Sequence, residues 1–383
     1  MKILLLGDAS NCHRTLAIGL RDLGHEVTVA SDGTRWMQTE RDIDLSRHFA
    51  GPTGGAGLYL RSLRLTATRF RDFDVVAIHN PIFLSLRPGR VRRIFDIIRR
   101  NNRSIFLTAL GTDTPYVEEC LDPDGSLRYS EYMHLGKPSP MVIENPDRVT
   151  TWTGEAMTAH CRHIYNNVDG AVAVLYEYLL SARRWLPEAK TAYGGIPIDM
   201  NELTLSEIPE RPEKVRFFLG RHKGRLAAKG TDRLELAARR AIERHPEKAE
   251  LIIVENRPYK EYIELLSQAH VVIDQAYSYT PATNALLAMA KGQCAVSGAE
   301  PEFYNFIGEN RLHPIFNSPL DTESMTSMFE QIITSPPGEL RRRGLEGREF
   351  VKKHNAAPVV AARFADFWQR RLELKNQFST PKP

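Results

Sequence analysis

The chain is poor in cysteine, long apolar runs and net charge, and each shortage excludes a class of protein. Cys12, Cys120, Cys161 and Cys294 are scattered through 383 residues without a CxxC pair. Neither a zinc knuckle nor a disulfide framework is expected, and a reducing cytoplasm fits. No stretch approaches the roughly 18 uninterrupted apolar residues of a membrane span, so any membrane contact is expected to be peripheral. In the opening MKILLLGDASNCH, Gly7 and Asp8 end the apolar run too early for a signal-peptide core, and the run reads as a first strand. A formal net charge of +4 is too small to argue for nucleic acid, so a basic partner surface has to be local. No GxGxxG follows the first strand, which counts against a dehydrogenase.

What is present is an ordinary globular balance, 42% apolar and 26% charged, on a chain longer than one hydrophobic core usually supports. Two domains are expected. In the first, Lys2 to Leu6 reads as a strand, Arg14 to Leu23 as a helix capped by Gly24, and HEVTVAS as a second strand. DFDVVAIHNP and Ser104 to Leu110 continue the sheet, and in such a doubly wound domain the loops at the carboxyl ends of the strands carry the ligand. Asp8, Ser10 and Asn11 are therefore either turn and helix-cap residues or substrate contacts. A glycine cluster from Thr53 to Gly57 precedes a segment with Arg61, Arg64, Arg69 and Arg71.

PGRVRRIFDIIRRNNR places Val91, Ile94, Phe95 and Ile98 on one helical face and Arg90, Arg92, Arg93, Arg99, Arg100 and Arg103 around the other. That basic face is either solvated or set against anionic lipid headgroups, at about 1 kcal/mol per nearby charge. The stretch between GTDTPYVEE and the next strand, Asp169 to Leu175, is too long for a plain connection. Its YSEYMHLGKPSPMVIENPDRVTTWTG has the composition of a lid over a polar ligand or of decoration. His160, Cys161 and His163 have no matched pair elsewhere and read as structural, not metal-binding.

The charged, proline-bearing segment 205–214 marks the expected boundary. After it, VRFFLGRHKGRLAAKGTD couples a buried strand to a loop with Gly220, Gly224 and Gly230 and with Arg221, Lys223, Arg225 and Lys229. Such a loop can hold a diphosphate or simply be solvated. Strands and helices then alternate to Ser297, so the expected fold is α/β, two facing Rossmann-like doubly wound parallel-sheet domains with a cleft between them.

Several blocks in one order resemble the GT-B-fold glycosyltransferases of the retaining family four (group 1) type: MKILLLG with RDLGHEVTVAS, DVVAIHN, LGTD, DGAVAVLYEYL, YGGIPIDM, GRHKGRLAAKGTD, EYIELLSQAHVVID with NALLAMAKG, and GREFVKKHNAAPVVAARFADFW. The resemblance implies an acceptor-binding domain over 1–204, a linker over 205–214, a nucleotide-sugar domain over 215–360 and a terminal helix over 361–383 that crosses back. It implies that Arg221 and Lys229 hold the donor diphosphate, with Arg225 a rival for the arginine role, because fixed cations stabilise the charge left when a sugar–phosphate bond breaks. Gly220, Gly230 and the loop and helix start at Tyr279, Thr280, Thr283 and Asn284 would complete the donor site. Asp113 joins the catalytic candidates, and Asp8, Asn11, His79 and Thr112 fall on the acceptor side. The chain departs from the pattern twice: the paired glutamates are replaced by Tyr279 and Leu287, and Leu110 stands where many relatives have a histidine.

The leading expectation is a retaining, metal-independent transferase without a cofactor. It would move a sugar from a nucleotide diphosphate donor to a cell-surface polysaccharide or lipid-linked acceptor, on the cytoplasmic membrane face. The alternatives are a non-catalytic partner subunit of the same fold and a sugar-nucleotide epimerase.

Overall fold

The computed structural model describes residues 1–379 apart from Arg35, Trp36, Glu202, His222, Lys223, Arg225 and Asn256. The chain opens with β1 (Lys2–Leu6), α1 (Cys12–Asp22), β2 (Glu26–Ser31), β3 (Ile43–Asp44), α2 (Gly51–Thr68), β4 (Val75–Ile78), α3 (Pro88–Asn101), β5 (Ile105–Ala109) and α4 (Thr114–Leu121). It continues with β6 (Met133–His134), β7 (Lys137–Pro138), α5 (Pro140–Glu144), α6 (Asp147–Thr153), α7 (Glu155–Asn167), β8 (Gly170–Ala173), α8 (Tyr176–Arg183) and β9 (Thr191–Tyr193). The second half holds β10 (Val215–Arg221), α9 (Leu226–Lys229), α10 (Thr231–Arg244), β11 (Ala249–Glu255), α11 (Tyr259–Leu266), β12 (Val271–Ile273), α12 (Thr283–Ala290), β13 (Cys294–Ser297), α13 (Pro301–Ile307), β14 (Phe316–Asn317), α14 (Thr322–Ile333), α15 (Glu339–His354) and α16 (Ala357–Ser379).

Two compact units result: Met1–Asp122 with Asp147–Pro197 and Ala357–Pro383, and Pro123–Pro146 with Ile198–Ala356. In the first, the described residues form a parallel sheet in the order β3-β2-β1-β4-β5-β8-β9. Its central strands are mostly apolar, Leu4 and Leu6 joining Val76, Ile78, Ile105 and Leu107 in one core, as a sheet covered on both faces requires. The second unit carries a parallel sheet in the order β11-β10-β12-β13-β14, with Phe217, Leu219, Val271, Ile273 and Val296 in its core.

Two sequence expectations shift. The junction falls after Pro197, where Ile198 bridges to Ala356, and not in 205–214. That charged stretch packs on the second unit: Ser206 donates its N–H to Lys291 O at 2.6 Å, Gly338 to Glu210 O at 2.8 Å, and Ile208 is buried. Residues 123–146, expected in the first domain, belong to the second unit. The glycine cluster lies inside α2, where Gly54 brings the helix onto the Phe49 carbonyl and Gly55 brings it within 2.6 Å of the Arg47 guanidinium, counted from where a Cβ would stand.

α3 behaves as its pattern requires, burying Val91, Ile94, Phe95 and Ile98 and exposing Arg92, Arg93, Arg99 and Arg100. At about 1.5–3 kcal/mol per fully buried side chain, that face holds the helix without help from its arginines. The four cysteines are buried and unbridged. No helix among the described residues is long and apolar enough to cross a membrane.

α16 closes the first unit by lying on α1, and Gly19 permits it: a Cβ there would overlap the Ala357 carbonyl. Backbone cannot swing aside, so Gly19→Leu is expected to destabilise the protein by on the order of 3 kcal/mol. Gly57, with nothing within 4 Å of an added Cβ, is the control. Gly57→Ala should be neutral or stabilise by up to about 1 kcal/mol through helix propensity. Urea midpoints at constant m check both.

Candidate functional site

Each sheet reverses its winding once, between β1 and β4 in the first unit and between β10 and β12 in the second. At such a point the loops following two adjacent strands leave toward opposite faces, and the crevice between them is the usual ligand site of an open α/β sheet.

In the first unit the crevice is a cavity of about 660 Å³ whose lining includes Gly7, Asp8, Ser10, Asp32, Arg47, His79 and Arg87. Gly7 has φ +76°, and a Cβ on it would collide with the His79 ring, so the turn after β1 lies directly on the histidine. Asp8 caps the start of α1, accepting from the N–H of His13 at 2.9 Å and of Arg14 at 3.3 Å. Burial outweighs those bonds and pushes its carboxyl up to about 7. Asn11 sits at φ 62° with its Oδ1 buried and unpartnered.

His79 ends β4 with its Nδ1 buried and unpartnered, and burial lowers its pKa to about 4. His13 lies edge-on to it, ring centroids 6.4 Å apart, bonded to Gly7 O at 2.7 Å and Thr108 Oγ1 at 2.9 Å. Burial, assisted by His79, takes His13 down to about 3. Sequence reasoning singled out His79 but missed His13, whose only signal is its place in the turn after β1.

The loop after β5 is built differently. Asp113 caps α4, accepting from Tyr116 N at 3.0 Å and from the Tyr165 hydroxyl at 2.7 Å, so both of its oxygens are engaged. Burial lifts it to about 6 against those two bonds. Thr112 contributes its carbonyl to Asn80 Nδ2 at 3.0 Å, and Asn80 Oδ1 accepts from Ile82 N, so Asn80 is a turn residue. His160 and His163 hold the Pro81 carbonyl at 2.9 Å and Asp96 at 2.6 Å.

In the second unit Gly220 and Arg221 end β10. A Cβ on Gly220 would stand 2.5 Å from the Tyr262 hydroxyl, which accounts for that glycine. Arg221 pairs with Glu235 and, at 3.5 Å, with Glu255, while its Nε is buried and unpartnered. The Glu235 bond, ahead of the Glu255 pairing, raises the arginine's pKa further. Lys229 ends α9 and donates at 3.0 Å to Asp274, which follows β12 with a fully buried side chain. Gly230, at φ +68°, caps α10 with the Tyr277 ring 2.8 Å from a would-be Cβ. Both cations thus already carry carboxylate partners, which the basic loop in the sequence did not disclose. Arg225 lies outside the described residues.

The loop before α12 holds Ser278, Tyr279 and Thr280 buried. Tyr279 stacks on Tyr129 at 4.8 Å, and its hydroxyl accepts from the backbone N–H of Arg128 at 2.6 Å. Tyr129 in turn donates to Glu300 at 2.7 Å, and Arg128 pairs with Glu300 at 2.6 Å and Glu302 at 2.9 Å. Burial raises the Glu300 carboxyl, but its bonds from Asn317, Tyr129 and Arg128 outweigh that and leave it below the usual range. Where the sequence pattern lacks its first glutamate, a tyrosine thus anchors the 123–146 segment beside a different carboxylate. Thr283 and Asn284 open α12, whose cap residue Ala282 offers no side-chain acceptor. The first-turn N–H groups there can face an anion.

The two histidines make the first crevice sensitive to acid. Both are neutral in the fold and have pKa near 6.5 when unfolded, so the stability they hold is complete above pH 6.5 and is lost as pH falls through about 4 and about 3. His79→Gln should therefore lose less stability than the wild type between pH 6.5 and 4, by on the order of 2 kcal/mol, in paired denaturant titrations. Parallel curves would overturn the neutral, buried assignment.

No protein-family model matches the chain, and no curated protein matches it in sequence. Solved structures do match. Sucrose-phosphate synthase from Thermosynechococcus elongatus is 12% identical over 98% of this chain and 100% of its own, with a TM-score of 0.61. HepE from Anabaena, solved with UDP and glucose, is 12% identical over 97% and 100%, with a TM-score of 0.58. TarM from S. aureus, solved with Fondaparinux, alpha-GlcNAc-glycerol and UDP, is 8% identical over 81% of this chain and 58% of its own, with a TM-score of 0.53. At these identities the likeness is one of fold, and the chain has the GT-B fold, two Rossmann-like α/β units each built on a parallel sheet.

Proposed function

We propose that this protein is a glycosyltransferase that moves a sugar from a nucleotide diphosphate donor to an acceptor hydroxyl. The observation that carries the reading is Lys229 seated on the buried Asp274 carboxylate, at the winding reversal of the second sheet, where Arg221 ends the neighbouring strand. A lysine held in this way keeps two ammonium hydrogens for a ligand, and Arg221 on the neighbouring strand adds a second fixed positive charge. Such fixed cations stabilise a departing diphosphate most when its charge develops. The GT-B fold, and the UDP bound to HepE and TarM, support the same assignment.

The finer reading is retention of configuration without a metal or cofactor, with the departing phosphate accepting the proton of the incoming hydroxyl. The acceptor is a glycan or a lipid-linked saccharide, bound in the first-unit crevice by Asp8, Asn11, His79 and Thr112. The protein works in the cytoplasm, with the exposed arginines of α3 against the anionic inner membrane face during polysaccharide synthesis. Tyr279, Thr280, Thr283 and Asn284 stand on the donor side with Gly220 and Gly230. A non-catalytic binding subunit is the competing reading, favoured by the carboxylates that already neutralise Arg221 and Lys229. It predicts UDP binding without turnover of any UDP-sugar.

Lys229→Ala should lower turnover by on the order of 10²–10³, the scale of one preorganised charge-stabilising group. Equal rates for variant and wild type in a donor-consumption assay sink the donor assignment. For the membrane, replacing Arg92, Arg93, Arg99 and Arg100 with Gln should reduce co-sedimentation with anionic vesicles at low salt. Binding indifferent to both substitution and salt leaves α3 a solvated face.

A further inference from the structure

The mouth of the first-unit cavity gathers arginines that have no carboxylate partner among the described residues. Arg47 and Arg87 line it, and neither has a hydrogen-bonded or ionic partner among the described residues. Arg90 stands outside the lining, next to Arg47, and among the described residues meets only the face of Tyr59, at 5.1 Å from the ring centroid. Gly55 shows how close they come: the Arg47 and Arg90 guanidinium nitrogens stand 2.6 and 3.9 Å from the point its Cβ would occupy. The neighbouring arginines are treated otherwise. Arg21 pairs with Asp42, Arg41 with Asp44, and Arg61 bonds the Ser46 carbonyl and His48.

α3 adds to this charge. Its first turn begins at the same mouth with no acidic residue, with Arg87 as a cap that makes no side-chain bond, and with Pro88 at the first position. The positive end of a 14-residue helix therefore points where the guanidinium groups converge. Like charges this close repel, and an anion between them removes the penalty. Arginine suits phosphate oxygens in particular, through paired N–H donors in a fixed plane. The rest of the same cavity is different in kind: Gly7, Asp8, Ser10, Asp32 and His79 present polar groups suited to a hydroxyl-bearing ring.

We propose that this cavity binds an acceptor carrying a phosphate or diphosphate group, with the phosphate among Arg47, Arg87 and Arg90 at the mouth and the hydroxylated part toward Asp8 and His79. The assignment rests on the acceptor role given to the first unit above. Two sources share this chemistry. One is a water-soluble sugar phosphate. The other is a lipid phosphate, whose chain would meet Phe49 and Leu60, 69% and 65% exposed beside the arginines.

The test uses the full chain with Lys229→Ala, to weaken the donor site, and inorganic pyrophosphate as the probe. Calorimetry should show saturable binding that Arg47→Gln with Arg90→Gln weakens by about tenfold or more, the effect of removing two charge-assisted contacts. In the wild-type chain, which avoids any folding defect, pyrophosphate should slow hydrogen exchange over residues 45–60 and 85–92. Binding unchanged by the double substitution, or slowing confined to 215–235, overturns the proposal.

Glucose 6-phosphate and phosphatidylcholine vesicles carrying undecaprenyl phosphate are then used as separate competitors. Displacement by one identifies the source, and displacement by neither overturns the acceptor role. UDP binding to the wild type is measured alongside. Its absence would count against the donor assignment while leaving the first-unit result readable.

Discussion

Parallel strands joined by right-handed crossovers impose one constraint on which both candidate sites depend. A chain that winds a parallel sheet outward from its first strand must return to that strand's other edge, and the two loops beside the reversal then part. β1 and β10 are these first strands. Their carboxyl ends, Gly7 and Arg221, and those of their neighbours β4 and β12, followed by His79 and Asp274, are the residues the topology sets at the two reversals. The apolar interiors of the strands are interchangeable within their volume limits. The residues one step beyond them are not, because there the backbone leaves the sheet and side chains must serve turn, cap and ligand together.

The strands, the amphipathic α3 and the glycines at Gly7 and Gly230 were legible in the sequence because each follows from local physics: periodicity, or a backbone angle that only glycine holds cheaply. What escaped was tertiary. Arg221 and Lys229 look free in a basic loop, yet their partners Glu235, Glu255 and Asp274 come from α10, β11 and the turn after β12, and no spacing in the sequence links them. The home of residues 123–146 was equally hidden, since it is decided by Arg128 and Tyr129 meeting Tyr279 and Glu300, far away along the chain. The glycines of α2 serve tertiary contacts as well: their missing side chains let the helix approach Phe49 and Arg47.

Comparing the charges in the two crevices sharpens their difference. In the second unit each cation is seated on carboxylates, one of them fully buried, so its position is set before any ligand arrives. A ligand phosphate must share or displace those partners, which favours a group of high charge over a neutral sugar. In the first unit Arg47 and Arg87 are unseated among the described residues, while of the two lining carboxylates Asp8 is committed to the start of α1 and Asp32 accepts from the Thr34 N–H. Charge there is stored at the mouth, and the interior is polar but compensated.

This asymmetry bears on the departure at Tyr279 and Leu287. A glutamate at the first position would add a third negative group close to Glu300 and Glu302, in a pocket where Arg128 already pairs with both. Tyrosine avoids that repulsion and brings a hydroxyl that accepts from the Arg128 backbone and a ring that stacks on Tyr129. Tyr279 therefore holds the 123–146 segment in place, with Glu300 as the buried acid beside it. Tyr279 and the docked segment belong together physically: without the segment the Tyr279 ring would lose its stacking partner, and without Tyr279 the segment would lose its aromatic seat.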